Sequence, residues 1–113
     1  MVKNMLTLKA RMIEAKSHLH TKIVFWVLFV ESRGAANRIR IISTLRKRPR
    51  NRNQLSKELG IDYKNIQHHI KILEGNNLVT KFGKNYGVIY CVSTLFENSE
   101  FVFDEIVDRL KNL

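Results

Sequence analysis

Hydrophobic residues recur every three or four positions along the N-terminal part of the chain. They are Met5, Leu8, Met12, Ala15, Leu19, Ile23, Trp26 and Val30. Steps of this size keep one apolar stripe along a helix. A stripe of this kind is more typical of a helix packed on a partner helix than of a membrane-surface helix, since the polar side is only moderately basic. β-branched and aromatic residues are frequent after Lys22. The sequence therefore allows a break in the helix or a short strand within residues 19–30.

A second helix is predicted after Ser32-Arg33-Gly34, a sequence that signals a break. Its inward face is formed by three aliphatic residues, Ile39, Ile42 and Leu45. Pro49 ends the helix, because the residue before a proline disfavours helical torsions.

Two more helices follow, separated by a glycine turn. We expect a short helix over 54–59 that is capped by Asn53 and ends at Gly60, which accepts the left-handed conformation. Asp62 then caps a helix over 63–74, since its carboxylate favours the free amides at a helix start. Ile66, Ile70 and Leu73 form the inward face of that helix.

The last part of the chain predicts a hairpin and one more helix. Strand-like segments over 78–82 and 88–92 are joined by a glycine-containing reversal with a basic tip, and Tyr86 is expected to pack under it. A final amphipathic helix is predicted over 99–113. This order is that of a winged helix-turn-helix, a mainly α fold with a small β-hairpin (α+β). We expect an N-terminal helical segment over 1–32, the winged helix-turn-helix over 33–93 and a C-terminal helix over 94–113.

Charge adds a function class to this fold. The 113 residues carry 20 Lys and Arg against 10 Asp and Glu, a net charge of +10. No acid lies between Glu31 and Glu58, whereas that stretch holds nine cations. After Ser93 the acids outnumber the cations. A small basic domain with such a contiguous cationic segment is typical of proteins that bind nucleic acid.

The helix over 63–74 carries the side chains expected to read bases. Opposite its apolar face are Lys64, Asn65, Gln67, His68 and Lys71, which offer the hydrogen-bonding groups that contact base edges in the major groove. Backbone phosphates are expected to be neutralised by the cations of the preceding segment and the hairpin. These are Arg46, Lys47, Arg48, Arg50, Arg52, Lys81 and Lys84.

The stretch from Asn37 to Ser93 resembles the winged helix-turn-helix of ArsR-like transcriptional regulators, particularly archaeal members. The resemblance is carried by R-x-R-I-I-x-x-L, Q-L-S-K-E-L-G-I-D, H-H-I-K-I-L-E-x-x-x-L-V and Y-G-x-I-Y. It implies DNA binding, with the helix over 63–74 in the major groove. It also implies a homodimer paired through the terminal helices. The expected interface residues are Met5, Leu8, Met12, Leu19, Ile23, Trp26, Phe103, Ile106 and Leu110.

One departure from that family concerns metals. Metal-sensing members have a pair of cysteines on the helix that here spans 54–59, and this chain has no cysteine there. The remaining candidate ligands are His18, His20, His68, His69 and Cys91. None of them has the i, i+4 or C-x-x-C spacing of a preformed metal site. We therefore expect no metal, no cofactor and no identifiable small-molecule effector.

Other classes of protein fit less well. A single cysteine cannot staple a secreted scaffold, and the longest apolar run, Ile23–Val30, is eight residues against the roughly 20 that cross a bilayer. No catalytic motif is present, so we do not expect an enzyme. We expect a cytoplasmic, nucleoid-associated regulator whose partners are double-stranded DNA and a second copy, with no membrane. The alternatives are a winged-helix module for protein interaction or membrane attachment without sequence-specific DNA binding, and an RNA target.

Overall fold

The computed structural model describes residues 2–112, apart from the side chains of residues 2–6, 14–15 and 86. Helix α1, Val2–Trp26, continues into a π-helical turn, Val27–Glu31. The other elements are α2 Ala35–Lys47, α3 Arg52–Leu59, α4 Tyr63–Gly75, β1 Val79–Phe82, a 3₁₀ turn Asn85–Gly87, β2 Ile89–Val92 and α5 Thr94–Lys111. This arrangement confirms the mainly helical winged helix-turn-helix fold. The predicted roles of Met5, Ala15 and Tyr86, and the predicted end of the last helix at residue 113, lie outside the described residues.

Helix α1 is a long arm that joins the core only at its C-terminal end. Residues 7–13 and 16–20 are exposed, whereas Phe25 and the π-turn residues Leu28 and Phe29 are buried. The whole of 19–30 is helical, so the short strand considered there is wrong. Because Phe25, Leu28 and Phe29 follow one another at helical steps, all three reach the same core.

Helix α3 begins at Arg52, two residues before the predicted start at residue 54. Asn51 accepts a hydrogen bond from the Gln54 backbone N–H at 2.8 Å, and the Gln54 side chain accepts from the Asn51 backbone N–H at 2.9 Å. This reciprocal capping box makes Asn51 the cap, and the assignment of Asn53 is wrong. Gly60 ends the helix with a left-handed φ of 65°, and Asp62 caps α4, as predicted.

Helix α5 begins at Thr94 rather than Ser99, because Ser93 caps it by accepting from the Phe96 backbone N–H at 3.0 Å. The added turn brings Phe96 into an aromatic cluster with Phe25, Phe29 and Phe103. Phe103 and Ile106 are 1% and 7% exposed within the protomer. Their predicted place at the dimer surface is therefore wrong, and Leu110 is half-buried against the same core.

The wing is a two-stranded antiparallel hairpin in which Lys81 pairs with Tyr90 and Phe82 with Ile89. Arg50, in the loop between α2 and α3, adds a bridge to this hairpin. Its backbone N–H donates to the Tyr90 carbonyl at 3.1 Å and its carbonyl accepts from the Tyr90 N–H at 2.8 Å. This bridge fixes the wing to the helices. Among residues 2–112, no helix is both long enough and apolar enough to span a membrane.

Candidate nucleic-acid interface

Helix α4 separates its residues onto two opposite faces. Ile66, Ile70 and Leu73 are buried in the core that joins α4 to α2 and α3. The opposite side, which we call the reading face, consists of Lys64, Asn65, Gln67, His68 and Lys71. Four of these are exposed, and Gln67 is half-exposed. The helix therefore presents the predicted polar side chains outward.

Four side chains of the reading face have no competing partner among the described residues. Within the described part of the chain, Lys64, Asn65, Gln67 and Lys71 make no side-chain hydrogen bond or ion pair with another residue. Asp62, the acid nearest to Lys64 in sequence, accepts a hydrogen bond from the Lys64 backbone N–H through one carboxylate oxygen, at 3.2 Å. The donors of this face are therefore available to an external ligand.

At two of the predicted phosphate contacts, Arg50 and Arg46, other groups of the protein hold the guanidinium. Arg50 is 7% exposed, and its Nε donates to Glu58 Oε2 at 3.0 Å. Its Nη1 donates to the carbonyls of Thr44 and Arg48 at 2.6 and 2.8 Å, which ties it to the C-terminal end of α2.

Arg46 is the second of these. Its Nη1 donates to Asp104 Oδ1 at 2.7 Å and its Nη2 to Glu100 Oε2 at 3.3 Å, both on α5. The guanidinium also lies over the rings of Phe96 and Phe103. The hydrogen bond to Asp104 is the main reason that the pKa of Arg46 is raised. Arg46 therefore attaches α5 to α2.

The remaining predicted cations are accessible. Lys47, Lys81 and Lys84 are exposed, and Arg48 makes only a 3.5 Å contact with Glu58, whose carboxylate also binds Arg50. Exposed ion pairs of this length contribute little to stability, so Arg48 is free to move to another anion.

Arg52 lies in a cleft between the helices and the wing. The cleft has a volume of about 600 Å³ and is lined by Asn51, Arg52, Asn53, Tyr63, Asn85 and Val88; we call it the wing cleft. The guanidinium carbon of Arg52 is 5.8 Å from the ring centroids of both Tyr63 and Tyr90. Stacking on aromatic rings orients a guanidinium and leaves its N–H donors for an anion. The cleft can therefore hold a phosphate and part of its sugar.

Behind the reading face is a buried contact that the sequence did not predict. Arg38 of α2 is 3% exposed, and His69 of α4 is 6% exposed. Arg38 Nη1 lies 3.3 Å from His69 Nδ1. Burial lowers the pKa of both side chains, and the charge of Arg38 lowers that of His69 further. In the sequence Arg38 is one more cation of a basic segment, because no pattern shows which arginine turns inward.

An apolar stripe runs along the exposed part of α1. Leu8, Met12, Leu19, Ile23 and Trp26 are 42–60% exposed; we call them the N-terminal stripe. Ile13 and Val27 are exposed beside them. A row of large apolar side chains of this length is typical of a surface that another protein covers.

Metal-binding groups are scattered. Among the described residues, no three His, Cys, Asp or Glu side chains are grouped so as to hold a metal ion. Cys91 is half-buried on β2, and burial is the main reason that the pKa of its thiol is raised. That thiol is thus kept in its less reactive form.

Comparison with known proteins agrees with this geometry. Residues 36–81 match the family model described as bacterial regulatory protein, arsR family. No curated protein matches the chain. Among solved structures, reduced HlyU from Vibrio cholerae is 21% identical, with a TM-score of 0.60 over 88% of this chain and 96% of that one. A transcriptional regulator HlyU from Vibrio vulnificus is 16% identical, with a TM-score of 0.60 over 87% and 96% of the two chains.

A third solved structure is the homodimeric winged helix-turn-helix DNA-binding domain of a possible ArsR-family regulator from Mycobacterium bovis. It is 14% identical, with a TM-score of 0.61 over 83% of this chain and 84% of that one. At these identities the structures support the shared fold. The family match and the fold together support a DNA-binding transcriptional regulator, a class that is not normally enzymatic. Residues 36–81 are therefore similar in sequence to the arsR family, and the chain has the winged helix-turn-helix fold.

Proposed function

We propose that the protein is a homodimeric transcriptional regulator that reads duplex DNA with α4 in the major groove and the wing along the backbone. The observation that carries this proposal is the reading face. It is a row of exposed polar side chains on a helix whose opposite side is buried in the core. A major groove about 12 Å wide admits one α-helix. In this function the protein acts in the cytoplasm, on the nucleoid.

Base recognition is assigned to the reading face. Gln67 lies at its centre, between Lys64 and Lys71 at helical steps of three and four. Glutamine makes two hydrogen bonds with adenine, and lysine reaches the acceptor atoms of guanine. Asn65 and His68 extend the same face along the groove. These residues supply the specificity of the complex.

Backbone contacts are assigned to the accessible cations. They are Lys47, Arg48, Arg52, Lys81 and Lys84. Arg52 is the best oriented of them, because the two tyrosines hold its guanidinium in the wing cleft. Lys81 and Lys84 extend the positive surface along the wing. Each phosphate contact releases counterions and so contributes affinity that falls with salt.

Dimerisation is assigned to the N-terminal stripe. Pairing of α1 with its copy buries side chains that are exposed in the protomer. Knobs-into-holes packing along such a stripe is the usual way for two long helices to associate. The two reading faces of a two-fold dimer then meet successive half-sites of one DNA molecule.

Selection of bound fragments from random duplex DNA tests the proposal. We expect a two-fold-related sequence motif, bound with an affinity that falls steeply with salt. Recovery of no motif, together with DNA binding that is weak or independent of salt, contradicts the assignment and favours a protein-interaction module. Pull-down of the protein by vesicles of anionic lipid instead favours the membrane alternative.

Sedimentation equilibrium tests the dimer separately. Leu19→Lys and Ile23→Lys place charges in the N-terminal stripe, and we expect both variants to be monomeric. Ile89→Lys is the matched control, since it makes the same apolar-to-charged change at an exposed position of the wing. A stripe variant that remains a dimer removes α1 from the interface.

A further inference from the structure

Arg38 is a buried cation held by uncharged groups. No carboxylate lies within ion-pair distance of its guanidinium in the described part of the chain. Its Nε donates to the Leu28 carbonyl at 2.8 Å, and its Nη2 donates to Ser32 Oγ. Its Nη1 faces His69 Nδ1 at 3.3 Å. Because a buried arginine needs partners for its donors, each of these contacts matters.

The three contacts belong to three different parts of the fold. Leu28 lies in the π-helical turn at the end of α1, Ser32 follows that turn, and His69 lies on α4. Arg38 itself lies in the second turn of α2. One guanidinium therefore connects the N-terminal arm directly to the helix that carries the reading face.

Gly34 completes the cluster by making room for it. A Cβ atom at this position would lie 2.2 Å from His69 Cε1 and 2.8 Å from Arg38 Nη1. The backbone of Gly34, with φ −95° and ψ 13°, is one that other residues also adopt. The glycine is therefore required by the close approach of the histidine and not by its torsions.

The contact requires a neutral histidine. Arginine has only donors, so His69 Nδ1 has to accept, which places the single ring proton on Nε2. A second proton would turn Nδ1 into a donor and bring two cations together in a buried site. The titratable or charged groups that face His69 are Arg38 from α2 and His68 from its own helix, and both disfavour the charged ring. Acidification therefore acts on this contact directly.

We propose that Arg38 and His69 are positioning residues that hold the reading face in place relative to the N-terminal arm, and that protonation of His69 releases this hold. The inference rests on the proposed DNA-binding function for its effect. The buried contact itself is independent of DNA. Loss of the hold lets α4 move in the groove, which weakens base recognition more than backbone contact.

The pH dependence of specificity tests this inference. The measurement is the ratio of affinities for the selected duplex and for random duplex, from about pH 8 to about pH 5. The ratio removes any effect of pH that is common to both duplexes, and the same measurement on His68→Gln controls for the exposed histidine of the reading face. We expect the wild-type ratio to fall by about five-fold or more on acidification, the lower range of a typical coupling between sites.

Two substitutions distinguish the role of His69 as a hydrogen-bond acceptor from the effect of its protonation. His69→Gln supplies an amide acceptor that does not titrate, and we expect a ratio near that of the wild type at pH 8 that stays flat on acidification. His69→Leu removes the acceptor, and we expect a low ratio at every pH. His20→Gln is the matched control, an exposed histidine on α1, and it should follow the wild type.

Nitrogen NMR of the histidine rings tests the contact without DNA. We expect His69 to be the Nε2–H tautomer at pH 7 and to take up its proton below the usual pH range of a histidine, because burial and the charge of Arg38 lower its pKa. Gly34→Ala should disturb the His69 signals and lower the specificity ratio, although it changes no charge.

The outcomes distinguish the two proposals. If the protein selects no DNA motif but His69 shows this tautomer and titration, the proposed function fails and the buried contact stands. If a motif is selected and the wild-type and His69→Gln ratios respond equally to acid, the positioning role of His69 is overturned.

Discussion

Three arginines of α2 and its following loop differ from the cations of α3 and α4 in where their charge is used. Arg38, Arg46 and Arg50 turn toward the protein, where carbonyls, a histidine and the acids Glu58, Glu100 and Asp104 hold them. Arg52, Lys64 and Lys71 have no carboxylate partner among the described residues. The number of cations in a basic segment therefore does not show which of them are available to a ligand.

The difference has a physical cause in the ends of the helices. The C-terminal end of α2 leaves carbonyl oxygens that Arg50 satisfies, and a cation there is favoured by the helix dipole. The reading face runs from the second to the ninth residue of α4, where the carbonyls are bonded within the helix. Among the described residues, its Lys64, Asn65, Gln67 and Lys71 side chains bind no other side chain, which leaves them to solvent or a ligand.

Arg50→Ala gives the largest expected effect and tests the inward side of the comparison. It removes charged hydrogen bonds to Glu58 and two carbonyls, so we expect the free energy of unfolding to fall by about 2–4 kcal/mol. Urea denaturation measures this loss. The dependence of DNA affinity on salt should keep its slope, since Arg50 contacts no phosphate.

Arg48→Ala is the matched control for Arg50. Its side chain is 62% exposed, so we expect little change in stability and a salt slope that is lower by about one. The opposite result would be a large loss of stability for Arg48→Ala and a lower salt slope for Arg50→Ala. It would contradict the conclusion that the α2 carbonyls hold Arg50 inside the protein.

Gln67→Ala tests the outward side. We expect a loss of about 1–3 kcal/mol in binding to the selected duplex and a relaxed preference at one base position, because a two-bond contact with a base is removed. Competition binding with single-base variants of the duplex measures both effects. Equal weakening on selected and random duplex would move Gln67 from the bases to the backbone.

The fold was largely predictable from the sequence because its signals are local. Gly60, Asp62 and the spacing of Ile66, Ile70 and Leu73 act within one or two turns of helix. The exposed side of α4 followed from the same spacing. The partners of Arg46 and Arg50 were not predictable in this way, since Asp104 is distant in sequence and the Thr44 carbonyl carries no sequence signal.

The same reasoning explains the errors at the termini. The start of α5 depended on Ser93, which also donates to the Asn77 carbonyl at 2.6 Å, across the base of the wing. Once Thr94 begins the helix, Phe103 and Ile106 face the protomer core. A helical spacing alone does not tell whether an apolar face meets its own core or a second subunit.

Arg52→Gln tests the wing cleft. We expect affinity for all duplexes to fall alike and the salt slope to decrease by about one, because one phosphate contact is lost. Lys57→Gln is the control, an exposed cation on the same helix that does not line the cleft. Titration with inorganic phosphate alone shows whether the cleft needs the DNA backbone or binds a free anion as well.

Asp104→Asn gives the smallest expected effect and sharpens the boundary between the two groups of cations. It weakens the hold on Arg46 at a partly exposed ion pair, so we expect a loss of only about 0.5–1 kcal/mol in the free energy of unfolding. If Arg46 serves only to attach α5, the salt slope of DNA binding stays unchanged. A slope that rises by about one would instead mean that Arg46, once released, reaches a phosphate, and that the acids of α5 compete with DNA for it.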